Sequence, residues 1–417
     1  MKIAVVGGGM TGLAAAYYLS QKGHQITLFE KESYLGGLAA CFKEGENYLE
    51  YFVHHFFRSD DEALYLIKLL GLADKLFWHR SGAPIFWQGK VYPFTTPIDL
   101  LRFSPLKFLN RLRCGLAALY LKSTKNFHHF ENWTAVDWLK KHMGEEVFQV
   151  IWQPLLSKKF GRLYPQVSMT WLWARVFYRS TYLGYLKEGG LQLLVDRLSS
   201  AIKEKGGQIR LNSEVKDLKP LLSSYDKVIF TAATPVFLHA GRRLLPSAFL
   251  KRLSKVHYLG AVSLVLRLKH SLLPGVYWLN INDSRLPFVV AVEHTNLLPP
   301  EHYAGYHLVY LEGYLPTDHP LFQKKPPQLF KVWTRNLHLL NPRFQPNWVA
   351  GYQLFKAPFA QPVMFKGYHR FIPPLKTPVK NLYLANLSQI YPQDRGVNYS
   401  LRLGRKVAEL ITTPAKR

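Results

Sequence analysis

The chain has 417 residues, 48% of them hydrophobic and 19% charged. That balance excludes disorder over most of its length, and the length accommodates about two to three ordinary domains. Fifty-four Lys and Arg against 27 Asp and Glu give a net charge of +27, a field that favours anionic substrates or an anionic membrane surface. The basic residues are spread along the chain with no dense block and no recognisable nucleic-acid module, so nucleic acid is not an expected partner. No apolar run reaches bilayer length. Cys41 and Cys114 alone make neither a disulfide framework nor a metal cluster, and no metal is expected. Met1 leads directly into an apolar strand without a signal peptide. A cytoplasmic location is therefore expected, with peripheral contact at the inner face of an anionic membrane left open.

Residues 2–6 (KIAVV) read as a buried strand running into Gly7-Gly8-Gly9-Met10-Thr11-Gly12, then a helix to Gly23, then the strand QITLF (25–29) closed by Glu30. This is strand, G-x-G-x-x-G, helix, strand and acid in one unit, the context in which the glycine motif binds a dinucleotide. Gly7 permits the turn, Gly9 lets backbone approach a pyrophosphate, and Gly12 lets helix and strand pack closely. The helix N-terminus offers unpaired N–H groups to phosphate, and Glu30 stands where it can accept hydrogen bonds from ribose hydroxyls. Met10, Thr11 and Lys31 flank the same site. The Gly36-Gly37 pair after the acid looks like the extended FAD motif of glutathione-reductase-type flavoproteins. No second G-x-G-x-x-G marks an NAD(P)H domain, and no CxxC marks a disulfide reductase.

Next comes a His-aromatic run, Tyr51 to Asp60, in which His54 is a candidate catalytic residue; a helix and the stretch GKVYPF (89–94) follow it. Ser59-x-x-Glu62 predicts a capping box opening that helix. Residues 97–185 read as helical. Leu101, Pro105, Leu109, Leu112, Leu116 and Leu119 repeat at three and four, accompanied by Arg102, Lys107, Arg111, Arg113 and Lys122. This is either a basic membrane-surface helix or, the preferred expectation, a core-packed helix with a solvated basic face. Thr134 caps a helix predicted to run through residue 156. The aromatics Trp171, Trp173, Phe177, Tyr178, Tyr182 and Tyr185 follow, mostly as core, with Arg175 and Arg179 among them able to pair with an anion in a pocket.

Gly189-Gly190, a helix, the strand 208–215 and the strand 227–233 suggest that the nucleotide domain returns in a second segment. Strands over 257–315 predict an antiparallel sheet. Glu293-His294 ends one of them, as a proton-transfer pair or as a satisfied strand-end pair. The last segment, 381–411, reads strand, loop and helix, with Asp394-Arg395-Gly396-Val397-Asn398 at the helix start.

Three stretches carry a family resemblance: Gly7 to Glu30 with Gly36-Gly37, Gly189 through Val215 and Asp226 to Ala232, and Tyr383 to Gly404. The chain resembles the flavin-containing amine oxidase, protoporphyrinogen oxidase and phytoene desaturase superfamily. The resemblance implies a discontinuous Rossmann-like α/β domain binding FAD non-covalently, plus an α+β substrate domain with an antiparallel sheet and a helical subdomain. The implied boundaries are 1–95, 186–255 and 376–417 for the FAD domain, 96–185 for the helical subdomain and 256–375 for the sheet. It further implies adenine contact at Val215, and contact with the flavin pyrimidine or the pyrophosphate at Gly396, Val397 and Asn398. Ala385-Asn386 departs from the Ala-Gly that the family commonly has there. Residues 48–98 are similar to UDP-galactopyranose mutase. The expected function is an FAD-dependent oxidoreductase taking a hydride from a C–H or C–N bond of a small molecule. The alternative is a redox-neutral flavin isomerase of a nucleotide sugar.

Overall fold

The computed structural model describes residues 1–413. Its first sheet has five parallel strands in the order Gln208–Arg210, Gln25–Phe29, Lys2–Val6, Lys227–Phe230 and Leu382–Leu384. Alternate side chains of each strand enter two different cores. Ile3, Val5, Ile26, Leu28 and Ile229 face one, with the helices Met10–Gln21, Leu191–Glu204 and Val397–Thr412. Ala4, Val6, Val228, Phe230, Leu382 and Leu384 face the other, with Phe237 and Leu253. A sheet covered on both faces explains why these strands read as continuous apolar runs. Chain order reverses at Lys2–Val6, which places the carboxyl ends of the strands, and the glycine loop, at a topological switch point.

A seven-stranded sheet follows, in the order Val349–Pro362, Tyr258–Leu268, His307–Leu315, Val290–Glu293, Trp278–Ile281, Ile85–Trp87 and Lys90–Tyr92. It is antiparallel except where Trp278–Ile281 meets Ile85–Trp87. Residues 85–92 therefore pair with this sheet, not with the nucleotide segment to which the sequence reading gave them. The 14-residue edge strand Val349–Pro362 had no predicted counterpart. Helices between residues 97 and 177 pack over one end around Trp138, Phe148, Trp171 and Trp173.

Four local expectations change. Gly144 adopts φ +95° and ends the helix Ala135–Met143, so the predicted run to 156 is broken in two. The strand expected over 208–215 stops at Arg210. Ser59 does not cap its helix: Asp60 is at the N-cap, and its carboxylate accepts from Phe57 N–H at 2.8 Å. Most consequential, the helix Phe108–Ser123 buries Cys114 and Leu121 and turns its leucine stripe outward. Leu109 is 77% exposed, Leu116 70% and Leu119 65%. The core-packed expectation fails because periodicity reveals which residues share a face, not what covers that face.

Glu50 joins the segments. Its carboxylate accepts from Leu191 N–H (2.9 Å), at the start of a helix, and from Tyr185 Oη (3.0 Å). Gly190, at φ +55°, has no room for a Cβ, which would lie 2.6 Å from both Glu50 Oε1 and Tyr185 Oη. Burial pushes the Glu50 carboxyl up to about 7, against the hydrogen bonds that favour ionisation. The folded state therefore holds this proton where the unfolded chain has lost it. Stability falls as pH rises from about 4.5 to about 7, and levels above that. Glu50→Gln keeps the shape and removes the titration. Melting curves from pH 4 to 8 are expected to show it losing less stability than the parent across that window, by up to about 3 kcal/mol.

Candidate active site

The glycine loop is built by contacts that only glycine allows. Gly7 turns at φ +107° and donates to Phe29 O at 2.8 Å. A Cβ on Gly12 would stand 1.9 Å from Gly7 O, so helix and strand could not close. Gly9 differs. Its φ is −73°, and a Cβ there would meet nothing nearer than 3.9 Å. Neither backbone strain nor packing against this chain requires glycine at 9, and the space beside it is what a pyrophosphate needs. The helix it opens has no side-chain cap and no acid in its first turn, so Met10 and Thr11 present uncapped backbone N–H groups. Gly36 N–H donates to Gly8 O (2.9 Å), and Gly37 packs on Gly9, bringing the second glycine pair against the first.

Glu30 is buried at the end of its strand. Its carboxylate accepts from Gly8 N–H (2.6 Å) and Glu32 N–H (2.9 Å), which leaves acceptor capacity for ribose hydroxyls. Val215 follows the turn in which Ser213 N–H donates to Glu30 O (2.7 Å). Lys31 points outward and pairs with Glu32. The last helix also begins without a side-chain cap, at Gly396, and carries no acid in its first turn. Val397 and Asn398 are buried there, and the Asn398 Nδ2 amide has no partner among the described residues. Asn386 ties the neighbouring loop by donating to Ala232 O at 3.0 Å. These residues fit a dinucleotide such as FAD: two open helix N-termini, one ribose acceptor and a glycine-lined space. Cys41 is poorly suited to covalent attachment, because burial holds its thiol well above the usual range.

Below the last helix lies a charged node assembled from four separate segments. Asp394 Oδ2 accepts from Lys159 Nζ (3.1 Å) and Arg175 (2.8 Å). Its Oδ1 accepts from Gln361 Nε2 (3.0 Å) and Arg395 N–H (3.0 Å). Lys159, Arg175 and Arg395 hold the Asp394 carboxyl far below its ordinary range, although burial opposes this. Arg395 donates to Tyr314 Oη at 2.5 Å. Burial pushes Lys159 down to about 7 and Glu312 up to about 7. The sequence alone assigns Lys159 no role in a site. Its role depends on contact with residues more than 200 positions away.

His54 faces this node. Its Nδ1 lies 2.6 Å from Phe52 O, which can only accept, so Nδ1 carries the proton and Nε2 is left as an acceptor. Burial, then Arg395, pushes His54 down to about 4 and keeps it neutral. Glu312 takes the N–H of neighbouring Val53 (2.7 Å). Glu293 and His294 are not brought to the node, nor to each other. Glu293 accepts from Leu273 N–H (2.5 Å) and pairs with His307 (3.0 Å), whereas His294 Nε2 meets Tyr303 Oη (2.7 Å). Consecutive residues of an extended chain point to opposite sides, which separates them. Glu293 lies opposite Val309, five residues along the strand from Tyr314. In this geometry the pair holds the far end of the sheet.

Gly9→Asp would place a carboxylate in the space beside the first helix with no steric conflict in the protein itself. The variant is expected to melt close to the parent and to purify without flavin. Flavin absorbance at the parental level would remove Gly9 from the cofactor site.

Residues 10–412 match the family described as flavin containing amine oxidoreductase. Among curated relatives, 15-cis-phytoene desaturase of Synechococcus elongatus is 24% identical over 241 residues, covering 52% of this chain and 50% of its own length. Mitochondrial protoporphyrinogen oxidase of Nicotiana tabacum is 23% identical over 261 residues, with 52% and 50% covered. The chain thus matches about half the length of these relatives. Among solved structures, an oxidoreductase from Methanosarcina mazei superposes with a TM-score of 0.75 at 18% identity, covering 98% of this chain and 100% of that one. Reduced UDP-galactopyranose mutase gives 0.77 at 15% identity, covering 100% and 96%. These structural likenesses show the fold alone. The match over residues 10–412 shows more: the chain belongs to the flavin-containing amine oxidoreductase family, whose enzymes carry FAD.

Proposed function

We propose that this chain is an FAD-dependent oxidase, dehydrogenase or desaturase that removes a hydride from a C–H or C–N bond of a small molecule. The carrying observation is the pair of uncapped helix N-termini at Gly9 and Gly396, with the buried carboxylate of Glu30 beside the first and the Asp394 network at the start of the second. Bound FAD supplies the electron-accepting ring. The chain supplies position and electrostatics. Asp394 fixes Lys159, Arg175 and the start of the last helix in one network. Arg395, held against Tyr314, presents positive charge at that helix start, where it can stabilise negative charge developing nearby. Neutral His54 offers Nε2 as a hydrogen-bond acceptor near the Arg395 guanidinium.

The test is anaerobic. Candidate reduced substrates are added to the FAD-loaded protein, and the flavin band is followed. Bleaching by a substrate of one class is expected, and His54→Ala is expected to slow it about tenfold while FAD content holds. An unchanged rate removes His54 from the reacting site. Turnover that requires prior dithionite reduction and a nucleotide sugar, with no bleaching by any reductant substrate, would establish the redox-neutral isomerase instead.

We further propose that the enzyme works against an anionic membrane surface. Among the described residues no helix is long and apolar enough to cross a membrane. The support is the outward stripe Phe108, Leu109, Leu112, Leu116 and Leu119, continued by Ile98 and Leu101. Exposed Arg102, Lys107, Arg113 and Lys125 border it, and the whole chain carries +27. Apolar side chains entering the headgroup boundary, with cations at the rim, match an acidic bilayer. Flotation with phosphatidylserine-containing vesicles is expected to carry the protein upward at low salt. Leu109→Asp with Leu116→Asp should abolish this while preserving the melting temperature. Equal flotation of parent and variant would refute the surface.

A further inference from the structure

The seven-stranded sheet ends in an open edge. Its outermost strand, Val349–Pro362, pairs with Tyr258–Leu268 on one side. Among the described residues, no backbone–backbone hydrogen bond reaches residues 349–362 from the other side. Such an edge is a template on which another extended chain can pair. Pro358 interrupts its row of donors, so the stretch that can accept a partner is 349–357.

Both faces of that stretch are recessed. On one face, a groove of about 930 Å³ lies between the helix Pro326–Thr334 and the edge. Phe330, Phe344 and Val349 give it an apolar wall, and Lys331, Arg335 and His338 line it as well. Leu329 and Trp333 root the helix in the core, and Phe330 stacks on Tyr352 of the edge strand with ring centroids 4.4 Å apart. Groove and edge are therefore one packed unit. On the other face, a smaller recess of about 120 Å³ is lined by Phe42, Val265, Leu308 and Arg267. Arg267 donates to Glu44 through Nη2 at 2.8 Å, while its Nε is buried without a partner.

The charge around this edge has no counter-charge in the chain. From His319 to Gln393 there are ten Lys and Arg and no Asp or Glu. Lys331, Arg335 and Arg343 form no ion pair among the described residues, and Glu44, which borders the smaller recess, is taken by Arg267. A second copy of this chain would bring the same cations against them, which disfavours pairing between copies. Nucleic acid would neutralise the cations but leave the edge N–H and C=O groups without strand partners.

We propose that this edge docks an extended, acidic segment of a partner protein. The backbone of that segment adds one more strand to the sheet, and its alternate side chains enter the two recesses. There its apolar residues meet the walls, and its carboxylates meet Lys331, Arg335 and Arg267. The surface is separate from the cofactor and the Asp394 node. Val262, Leu264 and Leu266 face the core beneath the groove, whereas Ala261 of the same strand lies with Phe52 and Tyr314, so the sheet stands between the two. The proposal holds or fails independently of the oxidoreductase reading.

The test uses the FAD-loaded full chain and a fluorescein-labelled, end-blocked peptide of alternating Asp and Val, with binding read by anisotropy. Saturable binding that weakens with added salt is expected. Lys331→Glu with Arg335→Glu should weaken it about tenfold or more at unchanged melting temperature and FAD content. Lys203→Glu with Lys205→Glu, the same charge change at an exposed helix end elsewhere, should leave it near the parental value. The same peptide N-methylated at every residue keeps its charge but has no N–H to donate, and it should lose most of its affinity for the parent protein. No saturable binding, parental affinity after the Lys331 and Arg335 changes, an equal loss after the Lys203 and Lys205 changes, or equal binding of the N-methylated peptide each overturns the proposal. An oligothymidylate of equal charge that binds as tightly would make the surface a general polyanion site and also overturn it. So would a dimer in sedimentation that the peptide dissociates, since a second copy would then hold the edge.

Discussion

The site depends on two backbone approaches that a single methyl group would prevent. Gly12 allows the first helix to close on the turn at Gly7, and Gly404 allows the last helix to lie on the first. A Cβ at 404 would stand 2.5 Å from Thr11 O and 2.7 Å from Ala14 Cβ. The first contact joins residues close in sequence, and the second joins opposite ends of the chain. Together they set two uncapped helix N-termini beside the same parallel sheet. Each terminus presents a positive dipole end and unpaired N–H groups, the features that favour the anionic phosphates of a dinucleotide.

The second constraint is electrostatic. Lys159 is buried, and burial of an ammonium is costly unless an opposite charge and hydrogen bonds compensate. Asp394 supplies both, and it does so for Arg175 as well. One carboxylate thereby couples the helical subdomain to the start of the last helix. The end of the helix Met169–Phe177 is held by Lys122, from the helix that also carries the exposed leucines. The exposed leucine stripe and the helix that carries Arg175 are thus neighbouring parts of one packed unit.

How much of this could be read from the residues depends on how local the signal is. Gly7 to Glu30 is one continuous unit with fixed spacing, and its structure follows its pattern closely. The strands of the antiparallel sheet were also visible, since alternation along Tyr258–Leu268 and His307–Leu315 is a period-two signal. The Asp394 node was not, because Lys159, Arg175, Gln361 and Asp394 meet only after the chain folds. Glu293-His294 shows the reverse error, in which adjacency in sequence suggested a pair that strand geometry divides. The leucine stripe shows a third kind. Its period was correct, but the sequence does not state whether the opposing surface is protein, lipid or water. Ile85–Trp87 was misassigned because a short strand carries no mark of the sheet it will join.

The most direct test of the account is the flavin content of the purified protein, measured by absorbance before and after acid precipitation. The account predicts one FAD per chain, released intact into the supernatant, since the cradle holds it through helix termini, Glu30 and packing and not through a covalent bond. A chain that is colourless and takes up no added FAD, although correctly folded, would contradict the central claim.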